Sequence, residues 1–588
     1  MKPLPQTRAT DVATLSVQIE GIALPRTVAI QAAEVIVQAN RVPYARLRIA
    51  DGDSARGDFA RSSGEFFVPG KKLTVLAGYH GETQPMFEGR VLSQRLVVRN
   101  GASWLEVECR DVAFAMTLVR RSRYFEDKTD ADVVSELIGE YSSAGVSAGD
   151  AATASTQHPQ LLQYQSSDWD FMIARLEAAG LVCFVNAGTV NTLKPSLDAT
   201  PLAELSYGGT VLELDADLDA RSQTGGVRAV AWDPAGQALA EATAADPAWS
   251  GNGNLTAGEL STASTRSEDV IWHGGSLATD ALQSWADGAL LRARMAATRG
   301  RVRFRGLSGV LPGTVLELSR FSDRFNGKVY VTGVRHEFTG NSWITDAEFG
   351  MTREPHAARV DMSHLPAAGL AAPVHGLQIG VVTDLAEDPG KEHRVRVKVP
   401  LAGMDEKGVW ARVATLDAGK GDDDKPRGMF FRPEIDDEVV LGFFHGDPGQ
   451  PVILGMLHSS KHAPPIEATA DNDKKVYLSR SGITLEFDDK KKAVTLATPG
   501  GQSLVLDDDA GSVVLKDKNG NTLTLDADGI KLASSKKAVK VEAKTDFKAK
   551  GMNVEFDAQT GFKAKSQTQA EVSTSGKLTL KGSIVMIN

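Results

Sequence analysis

Residues 482–533 decide the fold of the C-terminal part of this chain, and they read GITLEFDDKKKAVTLATPGGQSLVLDDDAGSVVLKDKNGNTLTLDADGIKLA. Pairs of apolar residues with one residue between them recur along it, as in Leu485-x-Phe487, Val494-x-Leu496 and Leu504-x-Leu506. Polar turns, such as Asn519-Gly520, separate the pairs. This alternation predicts short β-strands, and its regular recurrence is typical of a repeat architecture.

The repeat is too short for one chain to enclose a core. A single-chain β-helix uses about 20 residues per coil, whereas rungs of about 10 residues with two inward side chains supply only one wall. Three such walls from three chains would close a prism and leave no open sheet edge. The pattern therefore predicts a homotrimeric needle, built as an intertwined triple-stranded β-helix, whose core residues are Leu485, Leu496, Leu506, Leu515, Leu525, Leu532 and Val541. The alternative is a single-chain antiparallel meander, which the scarcity of aromatics and the lack of a covering helix disfavour.

The rest of the chain predicts a mainly β protein with several domains. Short strands fill most of the first 360 residues, and helices are indicated after Thr129, after Ser167 and over residues 277–298. Five further strands suit a small OB-like barrel. The predicted domains are 1–362 (two β-barrels with inserted helices), 363–373 (linker), 374–462 (OB barrel), 463–481 (connector) and 482–588 (needle). A polar, mobile loop is expected at residues 418–427.

Composition narrows the function. The net charge of −10 over 588 residues argues against nucleic acid as the main partner. The two cysteines, Cys109 and Cys183, each lie in an apolar run, so buried reduced thiols are expected. The N-terminus lacks the pattern of a signal peptide, and no apolar run is long enough to span a bilayer. We therefore expect synthesis in the cytoplasm and export, if any, by a dedicated machine.

Three passages carry a family resemblance. They are VPYARLRIADGD at residues 42–53 with FVPG at 67–70, QYQSSDWDF at 163–171, and RPEIDDEV at 432–439 with FHGDPGQP at 444–451. They resemble the VgrG-like spike proteins of contractile injection systems, and Ser166 departs from the glutamate that is usual there. The amino-acid sequence of the first passage resembles the spike proteins of extracellular, phage-tail-like particles more than those of type VI secretion systems.

The resemblance implies a homotrimeric central spike. Its N-terminal barrels would adapt a sixfold inner tube (Hcp-like) to a threefold needle that punctures a target envelope. Baseplate proteins and effectors are further implied partners, and the target membrane would be contacted mechanically. A type VI secretion VgrG is the alternative assignment. A polysaccharide-cleaving or receptor-binding tail spike is a second alternative, which the short rungs and the hub passages disfavour.

No catalytic, cofactor or metal site emerges from the sequence. Acidic clusters such as Asp507-Asp508-Asp509 are explained by the preference of aspartate for turns. The expected role is therefore non-enzymatic. The chain ends in the apolar run Ile584, Val585, Met586, Ile587 and Asn588, which would be unfavourable in water for three stacked chains. A separate sharpening cap is therefore expected to dock there, of the kind that PAAR-repeat proteins provide in this family.

Overall fold

The computed structural model describes residues 12–152, 154–250, 252–362, 365–403 and 407–587. The chain divides into two compact units. The first contains the residues up to Val374 together with His445–Pro448, and the second contains His375–Phe444 together with the chain from Gly449 onward.

The first unit is built from 21 described strands and four α-helices. Its strands are β1 (Ala13–Ile19), β2 (Ile22–Ala23), β3 (Ile30–Gln38), β4 (Tyr44–Ala50), β5 (Lys72–Tyr79), β6 (Glu82–Arg99), β7 (Ala102–Arg110), β8 (Arg120–Thr129), β9 (Ser147–Ala151), β10 (Gln157–Ser167), β11 (Val182–Asn186), β12 (Thr189–Leu193), β13 (Glu204–Ser206), β14 (Val211–Leu218), β15 (Val227–Asp233), β16 (Ala238–Thr243), β17 (Asp269–His273), β18 (Thr298–Arg305), β19 (Val315–Ser319), β20 (Gly327–Thr339) and β21 (Ser342–Phe349). Its helices are α1 (Asp130–Gly139), α2 (Asp168–Ala178), α3 (Ala257–Ala263) and α4 (Thr279–Met295).

One large sheet runs through the first unit. Thirteen strands belong to it, and the antiparallel pairing of β3 with β20 joins its N-terminal half to its C-terminal half. In β4, Ala45, Leu47 and Ile49 are buried while the intervening Arg46 and Arg48 are exposed, which is the alternation of a sheet with one core face. Each half has its own apolar core. The two β domains predicted from the sequence are thus two cores on one continuous sheet.

The inserted helices begin where the sequence places their caps. Thr129 forms a capping box with Asp132 at the start of α1, and the Ser167 hydroxyl accepts the Asp170 N–H at the start of α2. The third predicted helix is α4. Sequence reasoning missed α3, although Thr256 and Glu259 form a capping box that the sequence already carries.

Both cysteines are buried, as predicted. Cys109 lies in β7 and Cys183 in β11, and neither side chain is exposed. Burial raises the pKa of each thiol to about 12. Because the thiolate is the reactive form, both thiols are inert packing groups at neutral pH.

The second unit begins with a closed five-stranded barrel. Its strands are β22 (Gln378–Asp384), β23 (Val395–Lys398), β24 (Val409–Val413), β27 (Glu438–Phe443) and β28 (Pro451–Met456), in the order β22-β23-β24-β28-β27. Val382, Val397, Leu441 and Ile453 fill its interior. These strands confirm the predicted barrel. The prediction of an irregular loop at residues 418–427 is wrong in one respect. Its two ends, β25 (Ala418–Lys420) and β26 (Pro426–Gly428), pair as a hairpin.

A seven-stranded antiparallel meander follows the barrel. Its strands are β29 (Lys474–Leu478), β30 (Thr484–Asp488), β31 (Ala493–Ala497), β32 (Ser503–Asp507), β33 (Ser512–Lys516), β34 (Thr522–Asp526) and β35 (Gly529–Ala533). Each strand pairs with the next, so within one chain these residues adopt the antiparallel meander that the sequence analysis disfavours. The sheet therefore starts inside the segment that the sequence suggests is a connector. No strand is present among the described residues after Ala533.

Two glycines allow α4 to pack closely on the end of α2. A Cβ atom added at Gly288 would lie 2.9 Å from both Cα and N of Gly180, and 3.1 Å from the carbonyl oxygen of Glu177. These are backbone atoms, so the clash cannot be relieved by turning a side chain. Gly180 itself has φ of +70°, a conformation that favours glycine.

We expect Gly288→Ala to destabilise the first unit. Alanine adds about 1 kcal/mol of helix propensity, but forced overpacking costs about 1–3 kcal/mol, so the net effect is destabilising. Gly139→Ala is the matched control, since that Cβ would meet nothing within 4 Å and should leave stability unchanged or raised. Thermal unfolding of the two variants is the measurement. A Gly288→Ala protein as stable as the control would contradict the close packing.

Candidate functional site

The meander of residues 474–533 presents one face made almost wholly of apolar side chains, and we call this sheet the apolar wall. Residues directly opposite in antiparallel strands share a face, and the register places Leu485 opposite Leu496 and Leu504 opposite Leu515. The residues of this face are Tyr477, Leu485, Phe487, Val494, Leu496, Leu504, Leu506, Val513, Leu515, Leu523, Leu525, Ile530 and Leu532, together with Lys475. From β30 to β35, each strand contributes two apolar side chains to it.

Most of the apolar face is left exposed by the described chain, and the one ring contact on it is that of Tyr477 with Phe431. Leu496 is 47% exposed, Leu515 52% and Leu532 59%. The opposite face is largely polar, with Thr495, Ser503 and Thr524 among its residues. An exposed apolar surface of this extent marks an interaction site rather than a finished surface.

The structure brings most of the predicted needle core together. Leu485, Leu496, Leu506, Leu515, Leu525 and Leu532 all lie on the apolar face of the wall. Val541 does not join them, since it lies beyond β35 outside any strand and is 65% exposed. That these side chains meet at a trimer axis stays a prediction.

The last part of the chain lacks internal backbone pairing. Among the described residues 534–587, no backbone N–H donates to a backbone carbonyl of the same chain. Apolar residues continue through this segment, and Phe547, Val554 and Leu580 are each more than half exposed. Backbone polar groups next to apolar side chains require hydrogen-bond partners when they are buried. In a single chain, these described residues thus lack the backbone hydrogen bonds that a helix or a sheet would supply.

The predicted tip lies at the end of this segment. Ile584 is 79% exposed, Met586 78% and Ile587 84%, while Val585 is 52% exposed. Asn588 lies outside the described residues. Docking of a cap on these residues stays a prediction.

We call the first unit the hub. The 13-stranded sheet of the hub carries charged side chains on the face that points away from its apolar cores. Three arginines of β18 lie directly opposite three acidic residues of β14, and the pairs are Arg299 with Asp217, Arg301 with Asp215, and Arg303 with Glu213. On its other side, β18 pairs with β21, where Asp346 lies opposite Arg303 and its Oδ2 is 3.3 Å from Arg303 Nη1. Opposite charges facing each other across strands stabilise the pairing.

The charged rows continue into the N-terminal half of the same sheet. Arg46 Nε lies 3.2 Å from Glu108 Oε2, and Arg335 forms an ion pair with Glu34 across the β3–β20 junction. These side chains are part-exposed, and such pairs contribute only about 0–1 kcal/mol each. Their main physical effect is to make this face hydrophilic from one end of the sheet to the other. Sequence reasoning missed this surface, although the alternating arginines of β18 signal it.

The passage at residues 163–171 forms a buried polar cluster. The Asp168 carboxylate is wholly buried, and it accepts hydrogen bonds from Gln163 Nε2 at 2.8 Å, Arg123 Nη2 at 2.7 Å and the Tyr141 hydroxyl at 2.7 Å. Burial and the bond to Asp168 raise the pKa of Tyr141 to about 12. The Tyr141 hydroxyl therefore keeps its proton at neutral pH and donates a hydrogen bond to Asp168. Every oxygen of Asp168 is occupied, so this cluster is structural.

Helix α2 also holds neighbouring segments in place. Asp170 Oδ1 lies 2.7 Å from His356 Nε2, in a 3₁₀ turn over His356–Ala358. The Glu177 carboxylate accepts from Arg292 of α4 at 2.9 Å and from Asn40 at 3.0 Å. Helix α2, which begins inside the passage at residues 163–171, thus binds the 3₁₀ turn at His356, helix α4 and Asn40 through its side chains.

The described residues contain no group of three or more His, Cys, Asp and Glu side chains arranged to hold a metal ion. Asp507 and Asp517 each accept backbone N–H groups of their own turns, as their placement predicts. Within the described part of the chain, no helix is long and apolar enough to cross a bilayer.

Two family models match the second unit. The model described as the type VI secretion system/phage-baseplate injector OB domain matches residues 378–458, and the phage baseplate V C-terminal trimerisation domain matches residues 493–554. The chain is therefore a VgrG-like baseplate spike, of the class found in phages and type VI secretion systems. A third model, the Alg8 N-terminal domain, matches residues 9–340. Because this is more than half of the chain, the protein belongs to that family.

Solved structures with a similar chain course are distant in sequence. A tail protein from Neisseria meningitidis MC58 is 15% identical with a TM-score of 0.43, over 58% of this chain and 97% of that chain. An E. coli type VI secretion component is 13% identical (TM-score 0.36; 75% and 99% covered), and a Francisella PdpA–VgrG complex is 10% identical (TM-score 0.39; 90% and 89% covered). These similarities are too weak to support the assignment, which rests on the family models. A comparison with curated proteins gives no match.

We predict that Asp170 makes stability depend on acid pH. Burial alone would raise the pKa of Asp170, but hydrogen bonds from His356 and Ser167 lower it below the usual value. A carboxyl with a lowered pKa stabilises the fold above its unfolded pKa of about 4, and the contribution is lost as the pH falls through the folded pKa. Asp170→Asn should therefore cost about 1–2 kcal/mol at pH 7 and much less near pH 3.

Thermal unfolding between pH 3 and pH 7 measures this difference. Exposed Asp323 supplies the control, and Asp323→Asn should shift the midpoint equally little at both ends of the range. An Asp170→Asn deficit of the same size at pH 3 as at pH 7 would show that the contact does not depend on the ionised carboxyl.

Proposed function

We propose that this protein is the homotrimeric, non-enzymatic central spike of an extracellular contractile injection particle. It adapts a sixfold inner tube to a threefold needle that punctures a target envelope and carries a cap or effector at its tip. The observation that carries this proposal is the apolar wall, which one chain leaves largely exposed on the side where the leucines of β30 to β35 lie.

The number of copies follows from how the wall can be covered. Two walls face to face would form a sandwich with open edges, whereas three walls close on themselves and leave none. With two inward apolar side chains per strand, three chains supply six such side chains at each level, enough to fill a narrow axis. The match of residues 493–554 to a trimerisation domain supports three copies.

Residues 534–587 support an intertwined end to the needle. No backbone N–H of these described residues donates to a backbone carbonyl of the same chain, which supports a ladder completed by neighbouring copies. Strands that pair only between chains cannot peel away one at a time without breaking the whole ladder. Such a segment suits a part that must resist force.

The choice of an extracellular particle rests on the sequence of residues 42–53, and a type VI secretion VgrG is the alternative. Locating this protein in the source cells with a specific antibody distinguishes the two assignments. Signal in contractile particles pelleted from the culture medium of intact cells supports the proposal. Signal confined to membrane-attached assemblies supports the alternative.

The trimer itself is tested by a charge in the wall. Leu525→Asp places a carboxylate on the apolar face of each chain, and burying an ion costs several kcal/mol. We expect this variant to lose the species of three times the 62.7 kDa chain mass in size-exclusion chromatography with light scattering. Lys516→Ser is the control, because Lys516 lies on the polar face and its loss should leave the trimer intact.

An intact, soluble Leu525→Asp trimer would remove Leu525 from the core. A folded wild-type monomer would overturn the needle, because one chain leaves the leucines of the wall about half exposed.

The tip is tested separately from the trimer. Replacing Ile584 and Ile587 together by aspartate removes the exposed apolar end without touching the wall. We expect unchanged trimer mass and loss of co-purification of a tagged PAAR-repeat protein encoded by the source organism. Aspartate at Lys563 and Lys577, which are exposed but away from the end, is the control. Equal capture by both variants would contradict docking at the tip.

A further inference from the structure

The C-terminal half of the hub contains a part-open cavity. Its volume is about 520 Å³, and Gln223, Asp246, Trp249, Asn252, Arg294 and Arg324 are among its lining residues, with Lys328 beside them. Cavities of about 300–1,000 Å³ are typical of sites for small organic molecules. All of these residues belong to the first unit of the chain.

The lining is positively charged, against the negative charge of the whole protein. Arg294, Arg324 and Lys328 line the cavity, and none of them forms a salt bridge within the described part of the chain. Their protein partners are neutral: Arg294 donates to the carbonyl of Thr224, Arg324 to the Asn254 side chain, and Lys328 to the carbonyl of Leu197. Asp246 is the single carboxylate of the lining.

One further carboxylate acts on the cavity from outside its lining. Glu259 accepts the N–H and the hydroxyl of Thr256 in the capping box of α3, and its negative charge also interacts with Arg324. The lining itself holds three basic side chains against one carboxylate, so it carries an excess of positive charge.

Three lining residues also have buried polar atoms without a hydrogen-bond partner in the described structure. They are Arg294 Nε, Gln223 Oε1 and Asn252 Nδ2. Gln223 is wholly buried and Arg294 is only 6% exposed, and burial lowers the pKa of the Arg294 guanidinium. A buried polar atom without a hydrogen-bond partner is costly, and natural structures rarely leave such atoms unsatisfied. A bound anion would satisfy the guanidinium and the amide donor together.

We propose that this cavity binds a small organic anion of the carboxylate or phosphate class. Arg294 and Asn252 offer donors to an anionic oxygen, Gln223 Oε1 accepts from a hydroxyl of the same molecule, and Trp249 supplies an apolar side. Arg324 and Lys328 add long-range attraction, which Asp246 opposes. This inference stands independently of the spike assignment.

Isothermal titration of the purified full-length protein tests the site, with citrate as the carboxylate probe and glucose 6-phosphate as the phosphate probe. Glucose is the uncharged control. We expect saturable binding of at least one anion, none of glucose, and weakening as salt is raised. The anion that binds identifies the class.

Variants of opposite charge effect make the test specific. Arg324 is exposed, so Arg324→Gln should leave the fold intact and weaken binding about tenfold, whereas Asp246→Asn should tighten it. Arg99→Gln is the control, since Arg99 is an exposed arginine in the other half of the hub and should bind as wild type. Lack of saturable binding of either anion, or equal weakening by Arg324→Gln and Arg99→Gln, would overturn the proposal.

Discussion

Uncovered apolar surface is the constraint on which the C-terminal part of this protein depends. Because side chains alternate across a strand, every rung from β30 to β35 sends its two large apolar residues to the same side. The turns restore the register after each strand, so the leucines of six strands form one continuous face. A sheet with such a face is stable in water only when another layer covers it. The sequence pattern therefore requires a covering layer, and a family model of a trimerisation domain matches this same segment.

The hub solves the same problem within one chain. Its 13-stranded sheet buries one face in two cores and turns a face of paired arginines and acids outward. Helix α2 secures the inserted layer through the buried Asp168 cluster and the contacts of Asp170 and Glu177. The hub thus buries its apolar faces within one chain, whereas the wall leaves much of its apolar face exposed. The cationic cavity adds a second surface whose polar groups the chain leaves unsatisfied.

Local signals predicted the elements that short stretches control. Thr129 and Ser167 cap α1 and α2 because capping needs only a side chain and the next three residues. All five predicted barrel strands are present, because the alternation of apolar and polar residues is a property of each strand by itself. The hairpin of β25 and β26 and the early start of the wall at β29 were missed. Their residues are polar or lysine-rich, and they form strands only because a neighbouring strand offers hydrogen bonds.

The sequence by itself determined that the C-terminal strands are short, alternating and unable to close a core, because periodicity and turn chemistry are local properties. Only the tertiary structure decided which side chains share a face, how β3 and β20 fuse two cores into one sheet, and which charges meet across it. It also gathered Arg294, Arg324 and Lys328 around one cavity from separate places in the chain. Pairing between distant segments depends on the packing of the whole unit, and no local pattern encodes it.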